Sequence, residues 1–226
     1  MCIKAFIFDL DGVITDTAEY HYLAWKKTSD TLNISFDREF NENLKGISRM
    51  DSLEKILERG DMQNEFSYDE KIQLATDKND FYKELIQKIT KNDLLPGIED
   101  LLKELKRRNI KIGLASASKN ALTVIKGLQV GDYFDFIADA AICNNSKPAP
   151  DIFLMAANGL GIEPKYCIGV EDAEAGIDAI NSAKMFSVGV GEKVSMRKAD
   201  MMVSNTNELS LENIKNMYNS KYLTNK

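Results

Sequence analysis

The sequence predicts an α/β fold: a Rossmann-like parallel sheet core with a helical cap domain inserted after the first strand. Three observations lead there. Between residues 95 and 203, short apolar runs alternate with segments of helical period, the pattern of a parallel sheet covered by helices on both faces. A first apolar run, residues 3–8, is separated from these by roughly seventy-five residues of helical pattern alone, far longer than an ordinary connection. The residues best suited to chemistry follow directly on the apolar runs, and open parallel sheets bind their ligands beyond the carboxyl ends of the strands. The implied division is a core of residues 1–15 and 93–226 and a cap of residues 16–92.

Each element has its own signal. Residues 3–8 are short, apolar and followed by Gly12, which reads as a buried strand. Residues 17–32 read as a helix with Thr17 at the N-cap. In the insertion, Leu53, Ile56 and Leu57 recur at helical spacing, and Leu74, Phe81, Leu85 and Ile89 do so less regularly. Leu95-Pro96-Gly97 marks the return to the core. Ile98, Leu101, Leu102 and Leu105 then trace one face of a helix, with Arg107 and Arg108 suited to its C-terminus. Strands are expected over 110–115, 134–138, 166–170, 186–190 and 201–203. Helices are expected over 119–128, 151–160 and 173–183, with Gly161 as a stop signal. A closing helix spans 209–217, and the polar tail beyond it is expected to fray.

The totals exclude several function classes. A chain of 226 residues, 44% hydrophobic and 28% charged, buries a full core without disulfides or structural metals. The net charge of −6 disfavours non-specific binding to nucleic acid or anionic membrane, which needs a basic face. Cys2, Cys143 and Cys167 are widely spaced and form no CxxC pair, which argues against thiolate metal sites and a disulfide framework and fits a reducing cytoplasm. The N-terminal apolar run is too short for a signal peptide, and no run approaches the ~18 apolar residues of a membrane span. His21 is the single histidine. A Ser-His-Asp mechanism would have to use it, and multi-histidine metal sites are excluded, so the carboxylates become the candidate catalysts.

Four motifs carry that chemistry. In Phe8-Asp9-Leu10-Asp11-Gly12-Val13 the alternation of an extended chain points Asp9 and Asp11 the same way. Two carboxylates at a strand end can share a cation or divide nucleophilic and acid/base roles; a turn that caps the strand is the competing reading. Glu171 and Asp172, after a later strand, would complete a hard-cation site with Asp9, or Asp172 would simply cap the next helix. Ser116-Ala117-Ser118-Lys119-Asn120 offers a hydroxyl and backbone N–H groups to an anion, or routine N-capping. Lys147, in Ser146-Lys147-Pro148-Ala149-Pro150-Asp151, would hold a phosphate oxygen and offset the acids, or lie on the surface. In this order, each at a strand end, the four supply what in-line phosphoryl transfer requires.

The same residues carry a resemblance. The order DLDGV, Ser116, Lys147 and GVED resembles the haloacid-dehalogenase-like phosphotransferase superfamily, and helices inserted directly after DLDG look like its first type of cap. DLDGVITDTAEYH, LKGISRMDSL, ASASKN, SKPAPDIF and GVED with AGI look, more narrowly, like the β-phosphoglucomutases, from Cys2 to about Gly191. The resemblance implies interconversion of β-D-glucose 1-phosphate and D-glucose 6-phosphate; with the cysteine usage and charge, a cytoplasmic monomer with no nucleic-acid or membrane partner is expected. It implies one Mg2+ per active site and β-glucose 1,6-bisphosphate as intermediate. It makes Asp9 the nucleophile and Asp11 the acid/base that also gives a carbonyl to Mg2+. Ser116, Ala117 and Lys147 hold the transferring phosphoryl group, and Glu171 and Asp172 complete the metal shell. A second phosphate falls to Arg49 within Lys45-Gly46-Ile47-Ser48-Arg49, with Ser118, Lys119 and Asn120. Thr17, His21, Trp25, Ser52 and Lys78 match positions that line the sugar site or steer closure. For Trp25 a place in the cap's core competes with that role. For Lys78 a solvated helix face competes. His21 reads as a hydrogen-bond partner of Asp11 or the hinge rather than as a metal ligand. Hinges are expected at Thr15-Asp16 and at residues 92–95. The stretch Cys143-Asn144-Asn145 and the end after Glu192 fit the family loosely. A sugar-phosphate phosphatase would not need the Lys45-Gly46 and Arg49 grip, and a non-catalytic sensor would be expected to have lost the motif acids.

Overall fold

The computed structural model describes residues 2–44, 47–191 and 197–223. Six parallel strands form one sheet: β1 (Ala5–Phe8), β2 (Lys111–Leu114), β3 (Phe136–Ile137), β4 (Cys167–Glu171), β5 (Phe186–Val190) and β6 (Met201–Val203). Their spatial order is β3-β2-β1-β4-β5-β6. The order reverses between β1 and β4, the switch point where such sheets open a crevice. β1 is buried at every position because it has strand neighbours on both sides and helices on both faces.

Strand alternation divides the core. Phe6 and Phe8 face one apolar cluster with α5 (Ile98–Arg107), α6 (Ala121–Gly127) and α9 (Leu211–Leu223). Ala5 and Ile7 face the other, with α7 (Asp151–Leu160) and α8 (Glu174–Ser182). All four apolar positions expected on α5 are buried, and α7 ends on Gly161 in the left-handed conformation, as its stop signal requires.

Between β1 and α5 lie α1 (Ala18–Thr31), α2 (Arg38–Glu42), α3 (Arg49–Arg59) and α4 (Tyr68–Ile86). They enclose a third apolar cluster of their own, including Trp25, Leu53, Ile56 and Leu57. The chain leaves and re-enters the sheet side by side. Leu95 N–H donates to the Ile14 carbonyl at 3.0 Å, and Thr15 Oγ1 donates to the Asp93 carbonyl at 2.7 Å.

Some expectations change. The buried stripe of α4 is Ala75, Lys78, Asn79, Tyr82 and Ile86, offset from Leu74, Phe81 and Leu85, which are only half-buried. Two of its members are polar because that face looks onto the cleft. Residues 218–223 do not fray: α9 continues to Leu223, since Tyr218 is fully buried, packs its ring 5.7 Å from Phe186 and donates to the Lys165 carbonyl at 2.6 Å. The strand expected over 134–138 shortens to two residues. There Ile112 N–H donates to the Asp135 carboxylate instead of to the ladder.

Candidate active site

The site is built on the end of β1. Asp9 N–H donates to the Val170 carbonyl at 2.9 Å, which extends the pairing with β4 by one residue. The chain then turns sharply: the Leu10 carbonyl accepts from Val13, Ile14 and Thr15. Gly12 sits at φ +71°, and a Cβ there would lie 2.2 Å from Asp172 Oδ2. Only glycine meets both demands, the left-handed backbone and the close approach. The strand-cap alternative thus describes the backbone but leaves the carboxylates unaccounted for, and these turn inward.

Lys147 is the centre of the charge arrangement. Its ammonium is buried and donates to Asp9 Oδ1 at 2.7 Å and to Glu171 Oε2 at 2.8 Å. This is not a surface lysine. Burial alone would lower its pKa, but the two carboxylates outweigh burial and hold it above the ordinary lysine value. Glu171, also fully buried, is pushed well above the usual carboxylate range by burial first and by the Asp9 charge second, with Lys147 opposing. Its Oε1 accepts from Ala173 N–H at 3.2 Å. The residue at the N-cap of α8 is Ala173, not Asp172; Asp172 turns toward Asp9 and Glu171 instead.

One ligand oxygen from each of Asp9, Glu171 and Asp172 lies within 4.8 Å of the others. Three carboxyl groups gathered around the Lys147 ammonium make an acidic, all-oxygen donor set, which fits Mg2+. Asp11's side chain lies outside this cluster. Its carboxyl is pushed up to about 6, by burial and then by repulsion from Asp9, with the Thr17 hydrogen bonds opposing. Thr17 Oγ1 donates to Asp11 Oδ1 and lies 3.1 Å from the Tyr82 hydroxyl. Thr17 stands at the N-cap of α1 but makes no side-chain cap, because its hydroxyl is committed to Asp11.

A cavity of about 600 Å³ opens over these groups. Of the predicted residues, Asp9, Asp11, His21, Trp25, Ile47, Arg49, Ser52, Lys78, Ser116, Ala117, Ser118, Lys119, Asn120, Lys147 and Asp172 line it. Thr17 and Glu171 lie fully buried behind its wall. Lys45 and Gly46 fall outside the described residues. Ser116 is buried and accepts from Ser118 N–H at 3.1 Å; the N-cap of α6 is Asn120. Lys78 is 3% exposed, which rules out a solvated face. Its Nζ lies 2.9 Å from His21 Nδ1 and within 4.8 Å of the Trp25 and Tyr82 ring centroids. Burial first, then the positive Arg49, lowers Lys78 to about 7, with Asp11 opposing. His21 therefore meets Lys78, while Thr17 is the group on Asp11. Trp25 belongs to the third apolar cluster and also lines the cavity, so its two readings are not exclusive. Ser52 donates its hydroxyl back to the Ser48 carbonyl at 2.9 Å.

Four contributors were not singled out from sequence. Tyr82 lies against His21, with ring centroids 4.1 Å apart and planes tilted by 33°. Asn79 and Asp51 reach across the cleft. Gly176 makes room for Glu171, since a Cβ there would lie 2.0 Å from the Glu171 carboxyl carbon. The spacing of Tyr82 relative to Lys78, four residues on along a helix, is the signal that would have found one of them.

Comparison with known proteins places the chain in a family. Residues 3–184 match the model of the haloacid dehalogenase-like hydrolase family. The chain is 53% identical over 210 residues to a β-phosphoglucomutase of Bacillus subtilis, covering 93% of each. It is 30% identical to a fructose-1-phosphate phosphatase of Escherichia coli, covering 81% of this chain and 94% of that one. The crystal structure of a β-phosphoglucomutase from Clostridium difficile superposes with a TM-score of 0.96 at 58% identity, over 98% of this chain and 99% of that one. The chain belongs to the haloacid dehalogenase-like hydrolase family and, within it, to the β-phosphoglucomutases.

Proposed function

We infer that the chain interconverts β-D-glucose 1-phosphate and D-glucose 6-phosphate as a Mg2+-dependent phosphotransferase, through an aspartyl phosphate on Asp9 and β-glucose 1,6-bisphosphate. Beyond the family relationship, one observation carries the reading. A single cavity is lined at the acids by Lys147 and Ser116, and elsewhere by Arg49, Lys119 and Asn120. A mutase must hold one bisphosphate in two orientations, so it needs cationic grips for both phosphates, and Arg is suited to a bidentate one. A phosphatase needs only the first.

In the first half-reaction the Asp9–phosphorus bond breaks as the sugar's 6-hydroxyl oxygen bonds to phosphorus, and that hydroxyl's proton passes to Asp11. The bisphosphate then turns end for end. Asp9 attacks the phosphorus at C1, that phosphorus–oxygen bond breaks, and Asp11 returns its proton to the leaving sugar oxygen. A carboxyl pushed up to about 6 suits both directions near neutral pH. Asp9, Glu171 and Asp172 would hold Mg2+, which when bound neutralises charge on the phosphoryl oxygens. Lys147 keeps the two buried carboxylates apart in charge and is within reach of the same oxygens. Residues 16–92 act as a cap hinged at Thr15-Asp16 and 92–95, and closure excludes water. The protein is read as a cytoplasmic monomer acting on small sugar phosphates, without nucleic-acid or membrane partners. Among the described residues no helix is long and apolar enough to cross a membrane.

The test is direct: β-glucose 1-phosphate with Mg2+ and a trace of bisphosphate is converted to glucose 6-phosphate. Asp9→Asn loses that activity by about a thousandfold or more while its circular dichroism is unchanged. Rapid release of inorganic phosphate from glucose 6-phosphate with no isomer formed would favour the phosphatase reading.

A further inference from the structure

Asp51–Ser146 and Asn79–Asn120 are two of the side-chain pairs that bridge the cleft between the inserted helices and the sheet's loops. Asp51, in the first turn of α3, accepts from Ser146 Oγ at 2.5 Å and from Ser48 Oγ at 2.6 Å. Asn79, on the buried stripe of α4, accepts through Oδ1 from Asn120 Nδ2 at 2.7 Å. All of Asp51, Ser146, Asn79 and Asn120 line the cavity that holds Asp9. Each bridge ends on a different core loop. Ser146 immediately precedes Lys147, and Asn120 ends the loop that begins at Ser116.

Neither bridge is needed by the helix that bears it. The N-terminus of α3 is already capped by Ser48 Oγ, which accepts from Asp51 N–H at 3.1 Å, so the bond to Ser146 is additional. On α4, Asn79 occupies a position that an apolar residue would fill for packing alone, and its acceptor is satisfied by the sheet's loop rather than by its own helix. Both bonds exist only while the helices lie against the loops.

We propose that Asp51 and Asn79 are positioning residues that latch the cap onto the 116–120 and 146–147 loops, and so set whether the aspartyl phosphate passes to sugar or to water. The inference rests on the mutase reading above. In transfer, the phosphorus–Asp9 oxygen bond breaks, a bond to the sugar oxygen forms, and the hydroxyl proton goes to Asp11. In hydrolysis the same bond breaks, the new oxygen and the proton come from water, and inorganic phosphate leaves. The protein groups are identical in the two reactions. What differs is whether water reaches the phosphorus, and cap closure decides that.

Ser146→Ala, Asn79→Ala and the double variant test it in the full-length enzyme with β-glucose 1-phosphate, Mg2+ and trace bisphosphate. Loss of one ordinary hydrogen bond weakens the closed form about fivefold. The ratio of inorganic phosphate to glucose 6-phosphate therefore rises about fivefold in each single variant and about twenty-five-fold in the double. Ser146→Thr keeps the hydroxyl and restores the ratio. Small-angle X-ray scattering of the same variants shows a larger radius of gyration than the parent. An unchanged product ratio in a parent that isomerises overturns the inference, whatever happens to overall rate or stability. If the parent makes no glucose 6-phosphate, the mutase reading fails instead, and an unchanged radius of gyration in both Ser146→Ala and Asn79→Ala then overturns the latches independently.

Discussion

Gly176→Ala sets two physical effects against each other at a position that touches no substrate. Gly176 lies inside α8, where alanine is favoured over glycine by about 1 kcal/mol on helix propensity alone. The structure predicts the opposite sign. A Cβ at 176 would lie 2.0 Å from Glu171 Cδ and 2.2 Å from its Cγ and Oε2. Glu171 has 0% exposure and no solvent to swing into. Its Oε2 holds Lys147 at 2.8 Å, so displacing it removes one of that ammonium's two carboxylates. Overpacking costs about 1–3 kcal/mol, and breaking a buried ion pair costs about 3–5 kcal/mol. The two share one displacement and do not add in full, so a net loss of about 3 kcal/mol is expected. Urea unfolding, with the slope checked for constancy, measures it. Because Glu171 is also a candidate Mg2+ ligand, calorimetric Mg2+ affinity falls about tenfold or more. An unchanged or raised urea midpoint together with unaltered Mg2+ binding would refute the packing argument and the place given to Glu171.

Three further outcomes are expected. Lys78→Met removes an amine that the fold holds at about 7 while the unfolded chain keeps it near 10.5. Between those values the unfolded state binds more protons, so stability rises with pH. The variant loses that rise and is the more stable protein at pH 6, as read by thermal unfolding from pH 6 to 10. Ser29 Oγ is buried and has no hydrogen-bond partner among the described residues, so Ser29→Ala raises stability by about 1 kcal/mol, measurable as a higher urea midpoint at constant slope. Chelating divalent cations leaves the clustered carboxyl groups of Asp9, Glu171 and Asp172 without a bridging cation. The melting temperature then falls and is restored by Mg2+ in a concentration-dependent way, by about 2.7 kcal/mol at a hundredfold excess over Kd.

Much of the architecture was readable from residue order, because burial imposes local patterns. The full apolarity of Ala5 to Phe8 marks a strand covered on both faces, and the spacing of Ile98, Leu101, Leu102 and Leu105 marks one face of a helix. Acids placed directly after β1 and within the end of β4 imply a shared site, because parallel strands all end on the same side of the sheet. For that reason Asp9, Glu171, Asp172 and Lys147 could be named together before any coordinates. The polar face of α4 was not legible in this way. Lys78 and Asn79 break the apolar period, and a period alone assigns such residues to solvent, whereas here they turn into a cleft. Nor does sequence say which of two chemically able groups holds a partner. Thr17 rather than His21 donates to Asp11, and Asp172 leaves the N-cap position of α8 to Ala173, which makes no side-chain cap.

The order of elements, the length of the insertion and the chemical identity of the acids are legible along the chain, because these depend on neighbours within a few residues. The pairing across the cleft is set only in three dimensions. Lys147 stands between Asp9, 138 residues away, and Glu171, 24 residues away, and Asp51 meets Ser146 across 95 residues. Such contacts follow from how the sheet orders its strands and how the inserted helices fold back over it. Those of Lys147 exist because a buried charge must find its counter-charge wherever the fold brings one, and no local pattern records where that is.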